Sequence, residues 1–205
     1  MGTIKAFDLD EIIKKANTKV FVETGTLYGD SVDHALKFGF DLIISIEINE
    51  SLAEKAKQKY ANESRVQIIQ GDSAEIISDL SWDLKEPVLW WLDAHFPGAD
   101  AGLAPYDSGL ELEKRLPLNK ELDILSHYKR LGYKDVIICD DLWIFEEGPF
   151  DSGDFDVHCK NHGQNMTRQS LKGPKTLDEM IQPFNHTHNV KKIYKDNGYT
   201  VLLPK

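Results

Sequence analysis

Acidic residues recur in this chain at one kind of place: Glu23, Glu47, Asp72, Asp93 and the pair Asp140-Asp141 each close a short apolar run. Glu23 opens the stretch Glu23-Thr24-Gly25-Thr26-Leu27-Tyr28-Gly29-Asp30-Ser31. Glycines at a strand-to-helix turn let the backbone approach a ligand and leave helix N–H groups pointing at it. Glu47 follows where an acidic side chain can take both hydroxyls of a ribose. Gly71-Asp72-Ser73 offers a carboxylate and a hydroxyl that could read an adenine amino group. Asp93-Ala94-His95 and Asp140-Asp141 end two further runs. Neighbouring parallel strands lie about 4.8 Å apart, so these carboxylates could converge on one hard cation. Carboxylates without cysteine suit Mg²⁺, Mn²⁺ or Ca²⁺ better than Zn²⁺. Clustered like charges are costly unless a cation neutralises them or one carboxyl stays protonated.

Positioning these groups requires strands and crossovers. The runs Val20–Glu23, Leu42–Ile48, Val66–Gln70, Val88–Asp93 and Val136–Asp140 are rich in Val, Ile and Leu with little alternation, as in parallel strands covered on both faces. Helical spacing links them: Leu9, Ile12, Ile13 and Ala16 after an Asp8 cap, then Asp30–Phe38, Ser51–Tyr60 capped by Asn49 or Ser51, Ser73–Leu80 and Asn119–Leu131. At the end, Val190–Tyr194, Asp196-Asn197-Gly198 and Tyr199–Leu203 predict a β-hairpin, since Asn-Gly supplies positive φ in a tight turn. The expected fold class is α/β: a Rossmann-like, seven-stranded, mostly parallel sheet with helices on both faces and a C-terminal antiparallel hairpin. One domain over residues 1–205 is expected, with residues 96–117 and 146–174 left unassigned as substrate or lid loops over the strand ends.

Lys+Arg 24 against Asp+Glu 34 leaves a net charge of −10, which disfavours a nucleic-acid backbone or an anionic membrane as partner. Two cysteines, Cys139 and Cys159, make neither a disulfide framework nor a four-cysteine zinc site. The N-terminal stretch shows no hydrophobic signal region, and Ala6 stands where a myristoylation motif needs Ser or Thr, so a cytoplasmic, reduced location is expected. Pyrophosphate cofactors want G-x-G-x-x-G or G-x-x-x-x-G-K-[ST], and the glycine turn here has neither. Glu23 at its entry would repel phosphate and suits a cationic ligand. S-adenosylmethionine carries an ammonium and a sulfonium and no phosphate, so charge favours it over NAD or ATP.

Val22-Glu23-Thr24-Gly25-Thr26 through Gly29, with Glu47, Gly71-Asp72-Ser73 and Asp93, resembles the class I S-adenosylmethionine-dependent methyltransferases over Lys19 to Asp141 plus the final hairpin. The glycine turn looks like the E-x-G-T-x-x-G variant of the metal-dependent O-methyltransferases of macrocin and catechol type. The resemblance implies a donor site of Glu23, Gly25, Thr26, Tyr28, Gly29, Ser31, Glu47, Ile48, Asp72, Ser73 and Asp93. Within it Glu23 approaches the methionine end, Glu47 the ribose and Asp72 the adenine. It also implies Asp93, Asp140 and Asp141 as ligands of a divalent cation, Mg²⁺ first, that would lower the pKa of an acceptor hydroxyl. Asp93 or His95 would then act as base, His95 if Asp93 is committed to the ion.

The implied reaction is methyl transfer to a hydroxyl of a small polar acceptor, a sugar or sugar-derived metabolite, with Tyr106, Asp107, Arg115 and Trp143 available as contacts. A homodimer is left open. Competing readings are a metal-independent transferase acting on nitrogen or protein, a non-catalytic nucleotide-binding module and, last, an NAD-linked oxidoreductase. Blander roles also stand. Asp140 and Asp141 could cap a helix, His95 could serve as a loop hydrogen-bonder, and Trp90 and Trp91 as sheet packing. His158, Cys159, His162, His186 and His188 fit a zinc site poorly and could instead line the acceptor pocket.

Overall fold

The computed structural model describes residues 3–127 and 132–205. A 3-10 turn over Ile4–Ala6 and helix α1 (Leu9–Ala16) lead into β1 (Val20–Thr24), α2 (Asp30–Ala35), β2 (Leu42–Glu47), α3 (Glu50–Lys59), β3 (Val66–Gln70), α4 (Ser73–Asp83) and β4 (Val88–Leu92). Then come α5 (Leu112–Arg115), α6 (Leu118–His127), β5 (Val136–Cys139), α7 (Leu142–Phe145), α8 (Phe155–Asn161) and α9 (Leu177–Ile181). A second 3-10 turn, Gln182–His186, precedes β6 (His188–Ile193) and β7 (Tyr199–Pro204). The seven strands form one sheet in the order β3-β2-β1-β4-β5-β7-β6. β1 to β5 pair in parallel, and β7 runs antiparallel to both neighbours. The α/β expectation of a mostly parallel sheet with a reversed hairpin holds.

Side chains alternate between two core layers because successive residues of a strand face opposite ways. Val22, Ile44, Ile46, Trp90 and Leu92 lie on one side, and Phe21, Ile43, Leu89, Trp91 and Ile138 on the other. Trp90 and Trp91 are essentially fully buried, one in each layer. A buried tryptophan removes roughly 150–250 Å² from water. At about 25 cal/mol per Å², each stabilises the fold by about 4–6 kcal/mol.

The strand register sets the functional edge. Thr24 pairs with Ile46 and with Leu92, and Leu92 pairs with Cys139. Gly25, Glu47, Asp93 and Asp140 therefore come level, one residue beyond those pairs. This is the carboxyl end of the strands, on either side of β1 where the strand order reverses, the crevice in which open α/β sheets hold ligands.

Caps fix where the helices begin. The Asp8 carboxylate accepts from the Glu11 amide at 3.0 Å, and the Asn49 side chain, rather than Ser51, accepts from the Leu52 amide at 3.2 Å. The helix after β1 stops at Ala35, and the chain turns through Leu36 and Phe38 where an Asp30–Phe38 helix was expected. Helix α6 spans Leu118–His127, so the end of the expected Asn119–Leu131 element lies outside the described residues. The two unassigned stretches are structured. Residues 96–117 carry backbone-bonded turns and α5, and residues 146–174 carry α8, which Asp154 caps through the Val157 amide. Among the described residues no helix is long and apolar enough to cross a membrane.

The hairpin forms with different turn chemistry from that expected. Positive φ falls on Asp196 (53°) and Gly198 (82°), not on Asn197. The Asn197 side chain instead donates to Asp141 Oδ1 at 2.7 Å. A turn residue is thus diverted to the functional edge.

Candidate functional site

The turn after β1 is shaped by close approach. Gly25 has φ +86°, and a Cβ there would sit 3.0 Å from the Asp93 carbonyl oxygen. Only glycine lets the ends of β1 and β4 meet this closely. Thr24 Oγ1 reinforces the junction by accepting from the Asp93 and Ala94 amides, both at 3.2 Å. Gly29 has φ +78° and lies against the Tyr60 hydroxyl, which donates to its carbonyl at 2.8 Å. In place of a phosphate, the turn wraps an internal acid. The Glu47 carboxylate accepts from the Leu27 amide at 2.9 Å and from the Asn49 amide at 2.8 Å.

A cleft of about 410 Å³ opens over these strand ends, within the 300–1,000 Å³ usual for small-molecule sites. Of the expected donor-site residues, Gly25, Thr26, Tyr28, Ser31, Glu47, Ile48, Asp72, Ser73 and Asp93 line it. Gly29 and Glu23 do not. Glu23 lies beneath the turn, 1% exposed, with Oε1 accepting from Ser45 Oγ at 2.5 Å. Burial pushes its carboxyl up to about 8 against the opposing Ser45 bond. Beneath the turn and protonated at pH 7, it neither lines the cleft nor presents a charge to a ligand there. Asp72 caps α4 through the Ala74 amide at 3.0 Å, which leaves its other oxygen for a ligand.

Beyond β4, Asp93, His95 and Asp141 bring one donor atom each to within 4.8 Å of one another, the only such cluster among the described residues. His95 Nε2 contacts Asp141 Oδ2, and Asn197 holds the other oxygen of Asp141. Burial would lower the imidazole's pKa, but the Asp141 charge and hydrogen bond outweigh it and push the ring up to about 10. The same pairing overcomes burial to hold the Asp141 carboxyl below its ordinary value. Asp93 is pushed up to about 7 by burial, with the His95 charge and the Trp91 indole N–H (3.2 Å to Oδ2) opposing. Asp140 is not in the cluster. Its Oδ1 accepts from the Asp141 amide at 2.8 Å, and burial beside Asp93 and Asp141 drives its carboxyl well up. The contorted backbone at Asp141, φ 54°, turns the two adjacent carboxylates different ways.

A second cavity of about 210 Å³ adjoins the first, and the two share His95, Phe96 and Asp100. Its walls include Tyr106 and Trp143, as expected, with Phe155, His158 and Cys159 from α8. Arg115 stands behind, donating to the Tyr106 carbonyl at 2.9 Å with its guanidinium 5.7 Å from the Phe96 ring. Asp107 is exposed and lines neither cavity. The histidines form no zinc cluster among the described residues. His158 stacks on His162 and lies tilted against Trp143, while His188 is buried against the Asp135 carbonyl ahead of β5.

Three contributors carry no sequence signal of their own. Thr24 reads only as a spacer in the glycine-turn stretch and Asn197 as a turn. Glu121 reads as a polar position on a helix, yet it is fully buried, bonded to Ser73 at 2.6 Å and pushed up to about 7 by burial.

No protein-family model matches the chain, and no curated protein matches it. Solved structures do match. A Staphylococcus aureus structure described as a candidate caffeoyl-CoA O-methyltransferase is 16% identical, with 96% of this chain and 81% of that one covered at a TM-score of 0.56. The SAH-bound methyltransferase PaMTH1 of Podospora anserina is 17% identical, with 94% and 74% covered at a TM-score of 0.56. The 23S rRNA methyltransferase ErmE is 9% identical, with 100% and 69% covered at a TM-score of 0.52. The sheet and its crevice define a Rossmann-like α/β protein. More narrowly, the fold is that of the class I S-adenosylmethionine-dependent methyltransferases. Acceptors differ widely among those neighbours, so the fold does not choose between them.

Proposed function

We propose that this chain transfers the methyl group of S-adenosylmethionine to a hydroxyl of a small polar acceptor of the sugar class, assisted by a divalent cation. The observation that carries the proposal is the meeting of two cavities at His95, Phe96 and Asp100, one edged by the glycine turn, Glu47 and Asp72 and the other walled by Tyr106 and Trp143. The donor fits the first on chemistry: an acidic rim without a phosphate cradle suits a cationic nucleoside, and a Cβ at Gly25 would intrude on the turn. The donor supplies an electrophilic methyl group.

The chain's residues hold and move the proton. In the ion-free site Asp93, near 7, is the base of choice, since a base works best when its pKa lies near the working pH; committed to an ion it would give up that role. His95, already an imidazolium against Asp141, is the weaker candidate. It holds positive charge beside the developing alkoxide. Asp93, His95 and Asp141 are the donors that would hold a divalent ion, with Asp140 behind them, and the ion would supply a stronger positive charge in place of the His95 proton. Trp143 and Tyr106 offer ring faces and a hydroxyl to a sugar.

Calorimetry with S-adenosylhomocysteine (SAH) tests the donor, and its failure to bind at millimolar concentration removes the assignment. Methyl transfer across a panel of hydroxylated acceptors, with and without EDTA, tests the rest. A metal-independent transferase acting on nitrogen or protein is the second reading. It is favoured by one observation, that the His95–Asp141 pair already neutralises charge without an ion. Full activity in EDTA would select it.

A further inference from the structure

Strand order sets the direction in which a donor would lie. Asp72 follows β3, Glu47 ends β2, Gly25 follows β1 and Asp93 follows β4. With adenine at Asp72 and ribose at Glu47, the sulfonium falls at Gly25 beside Asp93. The amino-acid tail then leaves past the first turn of α2, where Ser31 lines the cleft. That tail ends in the donor's only anion, a carboxylate, yet the lining is hostile to one: Asp30, Glu47, Asp72, Asp93 and Asp100 all face the same space. A carboxylate held there needs a cation to offset this field.

Two lysines border the cleft, Lys5 and Lys114. Lys114 belongs to α5, and Leu112 of that helix and Leu116 just after it pack into the core layer opposite the one that holds Val32 and Ala35 of α2. Lys5 sits in the 3-10 turn Ile4–Ala6 on the α2 side. Ile4 is buried in the same layer as Val32 and Ala35. The Thr3 amide donates to the Tyr199 hydroxyl at 3.0 Å, and the Lys5 amide donates to Thr3 Oγ1 at 3.3 Å. The turn is therefore anchored through Thr3 and the buried Ile4, while the Lys5 side chain stays exposed and has no ion-pair partner among the described residues. The charge of Lys5 also reaches His34 on α2, where, after burial and Lys37, it helps keep the imidazole neutral.

We infer that Lys5 is a specificity residue that takes the carboxylate of the donor's amino-acid tail, beside the Ser31 hydroxyl. This deepens the donor reading above and rests on it. Its consequence is selection: the site should prefer nucleosides bearing a full amino-acid tail over those whose tail lacks the carboxylate.

The test compares SAH with 5′-methylthioadenosine, which has the same adenosine and thioether but no amino-acid tail, by calorimetry on the full chain. Lys5→Met keeps the alkyl stem and removes the charge. It should weaken SAH about five- to tenfold, the scale of one partly exposed charge-assisted contact, and leave methylthioadenosine within about twofold. Lys5→Arg should restore most of the SAH affinity, and the salt sensitivity of SAH binding should diminish in Lys5→Met. Unchanged SAH affinity in Lys5→Met overturns the assignment. Equal weakening of both ligands also overturns it, because that pattern marks a displaced turn and not a lost charge. If methylthioadenosine and SAH both fail to bind the unaltered protein, the donor reading itself is what falls.

Discussion

If the Asp93, His95 and Asp141 cluster takes a divalent ion, that ion must displace a proton. His95 is held at about 10 by Asp141, so at pH 7 it is three pH units on the protonated side. Removing that proton costs about 4 kcal/mol at 1.36 kcal/mol per unit, and the apparent affinity for the ion is about a thousandfold below its intrinsic value. From pH 7 to pH 8 this cost falls by one unit, a tenfold gain. Asp93, near 7, contributes about a further twofold as it passes from half to mostly ionised. Mn²⁺ titrated against the protein, with the free ion followed by electron paramagnetic resonance, should bind about twentyfold more tightly at pH 8 than at pH 7. In His95→Gln the proton to be displaced is gone and Asp93, freed of the cation that lowers it, is the titrating group left, so the gain should fall below tenfold. A wild-type affinity that moves by less than twofold between the two pH values would refute the displacement and remove His95 from the ion's donors.

Gly25→Ala combines a positive φ with a Cβ 3.0 Å from the Asp93 carbonyl. It should lose about 2–4 kcal/mol in urea unfolding and abolish SAH binding, and unaltered midpoint and affinity would contradict the close-approach argument. Glu23 is raised from an ordinary carboxylate value to about 8, so its contribution to stability is fully present below about pH 4.5 and lost as pH rises toward 8. Glu23→Gln should flatten that slope by a few kcal/mol, measured as the difference between unfolding free energies at pH 5 and pH 8. Asn197→Ala removes the 2.7 Å bond to Asp141 and should cost about 1–3 kcal/mol, visible as a lower melting temperature.

The register of the sheet explains why so much of the site was legible in the sequence. Parallel strands covered on both faces are written as unbroken Val, Ile and Leu runs, and a charged residue after such a run has only the strand's carboxyl end to occupy. Glu47 and Asp93 therefore come level at the edge, with Asp72 two residues past the Gln70 that pairs with Glu47, from pattern alone. Asp140 and Asp141 were harder, because two adjacent carboxylates look alike in sequence, and only the positive φ of Asp141 sends one to His95 and the other back to an amide. The helices inside residues 96–117 and 146–174 were hidden for another reason. At four and seven residues, α5 and α8 are too short to display a period, and α8 is held by Phe155 and Cys159 buried against the second cavity instead of by propensity. Asn197 reads as half of a turn because Asn-Gly is a strong hairpin signal, while its bond to Asp141 spans 56 positions and leaves no local trace.

The indole of Trp91 offers a native optical probe. It is buried, fixed among Phe7 and Tyr199, and bonded through its N–H to the carboxylate whose protonation matters most here. Ionisation of Asp93 places a full negative charge at that N–H, which alters the field across the chromophore and hence its emission. Trp143 stands in the neighbouring pocket against Phe155 and His158. Titrating the protein in a fluorimeter would thus read occupancy and charge on both sides of the reacting centre without a label, with Trp91→Phe and Trp143→Phe assigning each signal to its side.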